Sequence, residues 1–177
     1  MCADDLEAVL AVQAASYPPS MQEPAPIVLA RMVAAPESCA VAVDAEGVCG
    51  YLFGYPSRLG AVTPLDAPFE PAREPDTLYL HDLAVAPRAH GRGLARRLVG
   101  HLLAHARSRG IGASSLVSVQ DTAGFWASLG YREARVDAMQ ARVALATYPG
   151  TARYMTRRVQ EEGVDAQCLM GLKPRQR

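Results

Sequence analysis

Cysteine is sparse and scattered. Cys2, Cys39, Cys49 and Cys168 form no Cys-x-x-Cys pair, which excludes a zinc knuckle and a dithiol redox motif. Four reduced thiols fit a cytoplasmic setting. No apolar run approaches the ~20 residues that cross a bilayer. The opening Met1-Cys2-Ala3-Asp4-Asp5 is acidic, where a secretory signal would be basic. Charge is balanced, 18 basic against 18 acidic side chains, so nothing draws the whole molecule to nucleic acid or a membrane surface. Gly-Lys-Ser/Thr is absent, which removes the Walker phosphate loop. No metal-ligand cluster and no internal repeat is visible.

What remains is a chain of 177 residues, half of them hydrophobic, enough for one core without staples. Residues 1–160 read as a single domain and 161–177 as a tail with little pattern, expected to be mobile. Asp4–Ser16 predicts a helix with Leu6, Val9, Leu10 and Gln13 on its inner face, ended by Tyr17-Pro18-Pro19. Pro26–Val33 predicts a second, facing inward through Ile27, Leu29, Ala30 and Val33. Cys39–Asp44 and Val48–Tyr55 read as a hairpin about Asp44-Ala45-Glu46-Gly47. Pro56–Asp76 carries five prolines and reads as a long loop of the kind that covers a site. Thr77–Ala86 is a third strand, and Leu94–Arg109 a helix with one apolar stripe, stopped by Gly110. Ser114–Val119, Thr122–Leu129, Tyr131–Val136, Met139–Thr147 and Ala152–Val159 continue as strand, helix, strand, helix and strand. The order implies an α/β or α+β fold with a mixed sheet flanked by helices.

The turn between the third strand and the long helix is the most informative stretch. Helix N-termini offer unpartnered amides and positive dipole. Gly91 and Gly93 remove side chains that would keep a bulky anion away, so a pyrophosphate can lie on the amides of Gly91 to Arg96. The same glycines are also compatible with nothing more than a tight turn. A dinucleotide fingerprint does not fit: the third glycine is replaced by Arg96, an antiparallel hairpin precedes, and no carboxylate occurs between Asp82 and Asp121.

Arg88-x-x-Gly91-x-Gly93, flanked by Leu83-Ala84-Val85 with Pro87 and by Phe125-Trp126-x-x-Leu129-Gly130-Tyr131, resembles the motif series of the GNAT superfamily of N-acetyltransferases. Tyr17-Pro18-Pro19 and Tyr79-Leu80-His81 are most similar to its arylalkylamine-type members. The resemblance runs from Asp4 to about Val159, with the usual first strand missing or severely shortened. It implies the acyl-CoA N-acyltransferase fold, a mostly antiparallel sheet whose strands Thr77–Ala86 and Ser114–Val119 splay apart. Acetyl-CoA would be the cosubstrate. Its pantetheine arm would lie along the main chain of Leu83, Ala84 and Val85. Its pyrophosphate would sit on Gly91, Arg92, Gly93, Leu94, Ala95 and Arg96, with Arg88, His90, Phe125 and Trp126 around it.

Acetylation needs a neutral amine, and an alkylamine of pKa near ~10.4 is about 0.1% neutral or less at pH 7. A histidine base suits that task. His81 is the candidate, directly or through a water; a buried, hydrogen-bonded core histidine is the competing reading. Strand alternation places Tyr79, His81 and Leu83 on one face and Asp82 on the other. His101 and His105 read as exposed on the helix. By the resemblance, Tyr79 stands where the arylalkylamine type has the first of two histidines. The Leu83 amide would face the developing oxyanion. Trp126 stands where a tyrosine commonly protonates the leaving thiolate, and an indole N–H is no acid at these pH values. Tyr131, Tyr148 and Tyr154 are the alternatives. The expected acceptor is a small-molecule primary amine. A protein amine, a non-catalytic acyl-CoA-binding module and a homodimer remain open at this point.

Overall fold

A computed structural model describes residues 1–159 of the chain; the expected tail, 161–177, lies outside them. The elements are α1 (Leu6–Ser16), α2 (Ala25–Ala34), β1 (Cys39–Asp44), β2 (Gly47–Ser57), β3 (Thr77–Val85), α3 (Leu94–Ser108), β4 (Ala113–Ser118), α4 (Ala123–Ser128), β5 (Arg132–Glu133), α5 (Met139–Leu145) and β6 (Arg153–Arg158). The strands form one sheet in the order β1-β2-β3-β4-β6-β5. Only β3 and β4 run parallel, because the crossover between them is α3. No strand precedes α1 among the described residues, the departure from the family pattern that the N-terminal helix in the sequence pointed to.

The breaks follow from local chemistry. Tyr17 donates its N–H to Gln13 O at 2.9 Å to close α1, and Pro18-Pro19 cannot continue it. In the β1–β2 hairpin, Asp44 Oδ1 accepts from Glu46 N at 3.0 Å. Two apolar cores sandwich the sheet. One, on the α1, α2 and α5 side, includes Val9, Val12, Val28, Tyr51, Phe53, Tyr55, Phe69, Tyr79 and Tyr154. The other, under α3 and α4, includes Leu78, Leu80, Leu98, Leu102, Leu116, Trp126 and Tyr131.

Three sequence expectations change. The inner face of α2 is Val28, Arg31 and Met32, and Val33 is 73% exposed. A reading that keeps every arginine outside turns that helix the wrong way; Arg31 is buried because it has a buried partner, Glu23. The strand expected at Tyr131–Val136 is regular only over Arg132–Glu133, although Ala134 still donates to Tyr154 O at 3.0 Å. The third change concerns β3 and the site.

Candidate functional site

Pairing of β3 with β2 runs Leu52↔Leu83, Phe53↔Asp82, then Gly54↔Leu80. His81 is therefore the extra residue of a β-bulge, and the alternation expected along β3 resets there. Tyr79, His81 and Asp82 all turn to the α1/α2 side, while Leu83 and Val85 join Leu78 and Leu80 on the α3 side. Tyr79, His81 and Leu83 thus do not share a face, and Asp82 is not opposite His81. Gly54 makes room for the bulge, since a Cβ on it would lie 2.9 Å from Tyr79 O.

Pairing between β3 and β4 covers Thr77↔Ala113 to Leu80↔Leu116 and stops, while β4 stays paired with β6 to Ser118. Beyond Leu80 the two parallel strands diverge, and a gap opens along β3. Ala86 donates to Cys49 O at 2.9 Å, which turns Ala84 and Ala86 toward β2 and the peptide groups of Leu83 and Val85 toward the gap. Side chains already lie against the carbonyls on that edge. Tyr17 Oη lies 2.9 Å from Leu83 O, and His90 Nε2 donates to Val85 O at 2.8 Å. The N–H groups of Leu83 and Val85 face the same gap, the edge onto which an extended amide chain adds.

At the end of this edge, Gly91 (φ 75°) and Gly93 (φ 70°) occupy the left-handed region, where a side chain is strained. A Cβ at either would meet nothing within 4 Å. Gly93 is the N-cap of α3 and supplies no side-chain cap. The first amides of α3, at Leu94, Ala95 and Arg96, are therefore open to an anion, and the loop fits a pyrophosphate. Arg88 and Arg92 are turned elsewhere. Both reach Asp44 Oδ2, at 2.5 and 3.1 Å, and pin the loop to the β1–β2 hairpin. Hydrogen bonding from Arg88 holds the Asp44 carboxyl below its ordinary range. Arg96 donates to Ser128 Oγ at 2.7 Å and lies over the Phe125 ring. Trp126 is buried between Phe125 and Tyr131, under α3.

His81 lies in a closed polar cluster, its side chain 2% exposed. Nε2 is 3.2 Å from Glu23 Oε1 and Nδ1 is 3.4 Å from Tyr148 Oη. Phe69 meets the ring edge-on. Glu23 is clamped by the buried Arg31 guanidinium and accepts from Asp66 N at 3.0 Å. Burial alone would raise the Glu23 carboxyl, but His81 and Arg31 outweigh it and bring it down to about 2. Arg31 also donates to Ala67 O, from Nε at 3.0 Å and Nη2 at 2.7 Å, which ties the loop between β2 and β3 over the cluster. Beside it, Asp82 accepts from Tyr17 and Tyr51, each at 2.7 Å. Burial raises the Asp82 carboxyl and, with Asp82 next to them, both tyrosines.

Of the three tyrosines that could stand in for a residue at Trp126, two are engaged away from His81. Tyr131 shares a hydrogen bond with Ser114 under α3, its hydroxyl pushed up by burial to about 12. Tyr154 accepts from Gly60 N at 2.8 Å. Tyr148 is the one at His81; it donates to Thr63 O at 2.7 Å, and burial raises it. Thr63 and Tyr55, whose hydroxyls lie 2.6 Å apart, also line a cavity of about 1000 Å³ between the long loop and α5. His101 and His105 lie on α3, away from this cluster.

Tyr17, Glu23, Arg31 and Tyr51 were not foreseen as site residues. Tyr17 was legible as a helix end and as part of the family resemblance but not as a partner of Asp82, and Glu23 and Arg31 look like solvated charges until the loop brings them together. Among the described residues, no helix is long and apolar enough to cross a membrane.

Residues 6–131 match the model of the Acetyltransferase (GNAT) family. A curated relative, L-2,4-diaminobutyric acid acetyltransferase of Chromohalobacter salexigens, is 40% identical over 68 residues; the match spans 38% of this chain and 28% of that protein. The loading GNATL domain of CurA from Lyngbya majuscula shares the fold, with a TM-score of 0.72 at 13% identity over 92% of this chain and 96% of that one. So does the PaiA N-acetyltransferase from Thermoplasma acidophilum in complex with coenzyme A, with a TM-score of 0.63 at 13% identity over 89% of this chain and 95% of that one. A family match across most of the chain, together with the splayed strands and open helix terminus, makes this protein a member of the acetyltransferase (GNAT) family.

Proposed function

We propose that the chain transfers the acetyl group of acetyl-CoA to the primary amine of a small molecule, with His81 as the base. The observation that carries this is the placement of His81 in the β3 bulge, where the β3–β4 gap opens. The Leu83 N–H on the gap edge is the donor for the developing oxyanion. The amides from Gly91 to Arg96 hold the pyrophosphate, and Gly93 leaves them uncapped. The amine binds in the cavity under the long loop, whose Thr63 wall adjoins Tyr148 and so His81. A cavity of that size suits a small-molecule acceptor. The 40% identity to a diaminobutyrate acetyltransferase supports an amino-acid-like amine. Cys2, Cys39 and Cys49 are free thiols, which supports a reducing, cytoplasmic location.

Because His81 is enclosed, the proton reaches it through Tyr148 or a water rather than by direct contact with bulk solvent. Departure of the thiolate needs no dedicated acid: a thiol of pKa near ~8.5 is a tolerable leaving group at neutral pH. The test is to supply acetyl-CoA with amino acids carrying a side-chain amine, polyamines, arylalkylamines and aminoglycosides. Thiol release and the mass of the acetylated product are then followed. Release above the hydrolysis background with at least one amine is expected; background release with every class would defeat the proposal.

A further inference from the structure

Glu23 and Arg31 are an investment of buried charge that an acyl-transfer site does not require. Arg31 is 0% exposed and Glu23 5%, and burying an ion pair generally costs more than packing apolar groups in its place. Their geometry shows what the pair does. Glu23 presents one oxygen to His81 Nε2 at 3.2 Å, while Arg31 holds both carboxylate oxygens from behind. A carboxylate accepts only, so Nε2 must carry the proton. On the other side of the ring, Tyr148 commits its hydroxyl hydrogen to Thr63 O at 2.7 Å, against 3.4 Å to Nδ1. The Nδ1 lone pair is therefore left without a committed donor, and it faces Tyr148, whose hydroxyl is bonded to Thr63 in the cavity wall.

We infer that Glu23, clamped by Arg31, is the positioning residue of His81: it fixes the imidazole as the Nε2–H tautomer and leaves Nδ1 to receive the amine's proton. This rests on the reading of His81 as the base. In the step, the acceptor N–H bond breaks as the new N–C bond forms. The proton passes to Nδ1 by exchange through the Tyr148 hydroxyl or a water, and the imidazolium is held by the Glu23 carboxylate. The electron pair released by C–S cleavage leaves on the thiolate, and the imidazolium later returns its proton to solvent. The charged or titratable groups around the ring are Glu23 from the α1–α2 loop, Arg31 from α2 behind it, Tyr148 after α5, and Tyr79 and Asp82 from β3 itself.

The test combines one spectrum with one variant pair. In wild-type protein labelled with ¹⁵N-histidine, the His81 ring at high pH should show a protonated Nε2 and an unprotonated Nδ1. The reverse tautomer would overturn the proposal without any mutant. Glu23→Gln alone strands the Arg31 charge, so the kinetic variant is Glu23→Gln with Arg31→Gln, which removes both charges. With coenzyme A affinity within about twofold of wild type, kcat should fall about tenfold or more, up to the ~10²–10⁴ that a general base itself contributes. Wild-type kcat in the double variant, beside an inactive His81→Ala, would sink the positioning role alone. An active His81→Ala would sink the base and the positioning role together. Should the double variant fail to fold, the tautomer decides.

Discussion

A carboxylate held at about 2 inside a fold stores stability that depends on pH, and Glu23 is such a group. Its folded pKa lies below the ordinary 4.5, so its contribution is complete above about 4.5. It is lost as pH falls through 4.5 toward 2. A displacement of that size corresponds to about 3 kcal/mol. Asp82 acts in the opposite sense: burial raises its carboxyl, so its ionisation weakens the fold as pH rises past the ordinary range. Urea unfolding at pH 7, 5 and 3 should show wild type losing stability on the acid side. The variant carrying Glu23→Gln and Arg31→Gln should lose about 2 kcal/mol less between pH 7 and pH 3; equal acid losses in both would show that Glu23 is not held low. At this scale the sequence was half legible. His81 could be singled out because it immediately precedes the Leu83–Val85 motif. Glu23 and Arg31 could not, because an isolated charge in a chain carries no sign of whether a partner will enclose it.

Among the elements, those fixed by their own residues match expectation. Helix α1 stops at Tyr17-Pro18-Pro19, the hairpin turns at Asp44–Gly47, and α3 buries Leu98, Val99, Leu102 and Ala106 along one stripe. The β3 bulge was not readable, because one inserted residue changes no composition and no turn signal, yet it moves His81 and Asp82 to the same side. Gly54 is its structural requirement. Gly54→Ala would bring a methyl to 2.9 Å from Tyr79 O and must displace β3. We expect destabilisation of about 1–3 kcal/mol, as for other overpacked sites, with kcat reduced beyond what the unfolded fraction explains. An unchanged kcat would show that the bulge does not set the histidine. At the other end of β3, Gly91→Ala with Gly93→Ala should add about 1–2 kcal/mol of strain per residue in the left-handed region. It should also weaken coenzyme A binding about tenfold or more, the loss of one or two charge-assisted hydrogen bonds. Calorimetric titration reads this directly; unchanged affinity would remove the pyrophosphate from the α3 amides.

For the molecule as a whole, the order of helices and strands, the mixed sheet and the splayed pair follow from periodicity and from the family resemblance. The closure of the site does not. The long loop reads as a cover, and its role as one is fixed by Arg31 bonded to Ala67 O and by Asp66 N bonded to Glu23. Those contacts join residues 36 and 43 positions apart, and no local pattern encodes them. In the function proposed above, the β3–β4 gap takes the donor and the cavity lined by Thr63 takes the acceptor, on either side of the enclosed His81 imidazole. The most direct measurement is the turnover of His81→Ala with acetyl-CoA and the best acceptor amine, alongside its coenzyme A affinity. Removing a general base should lower kcat about 10²–10⁴-fold while affinity stays within twofold. Wild-type turnover in that variant would contradict the assignment of His81 as the base.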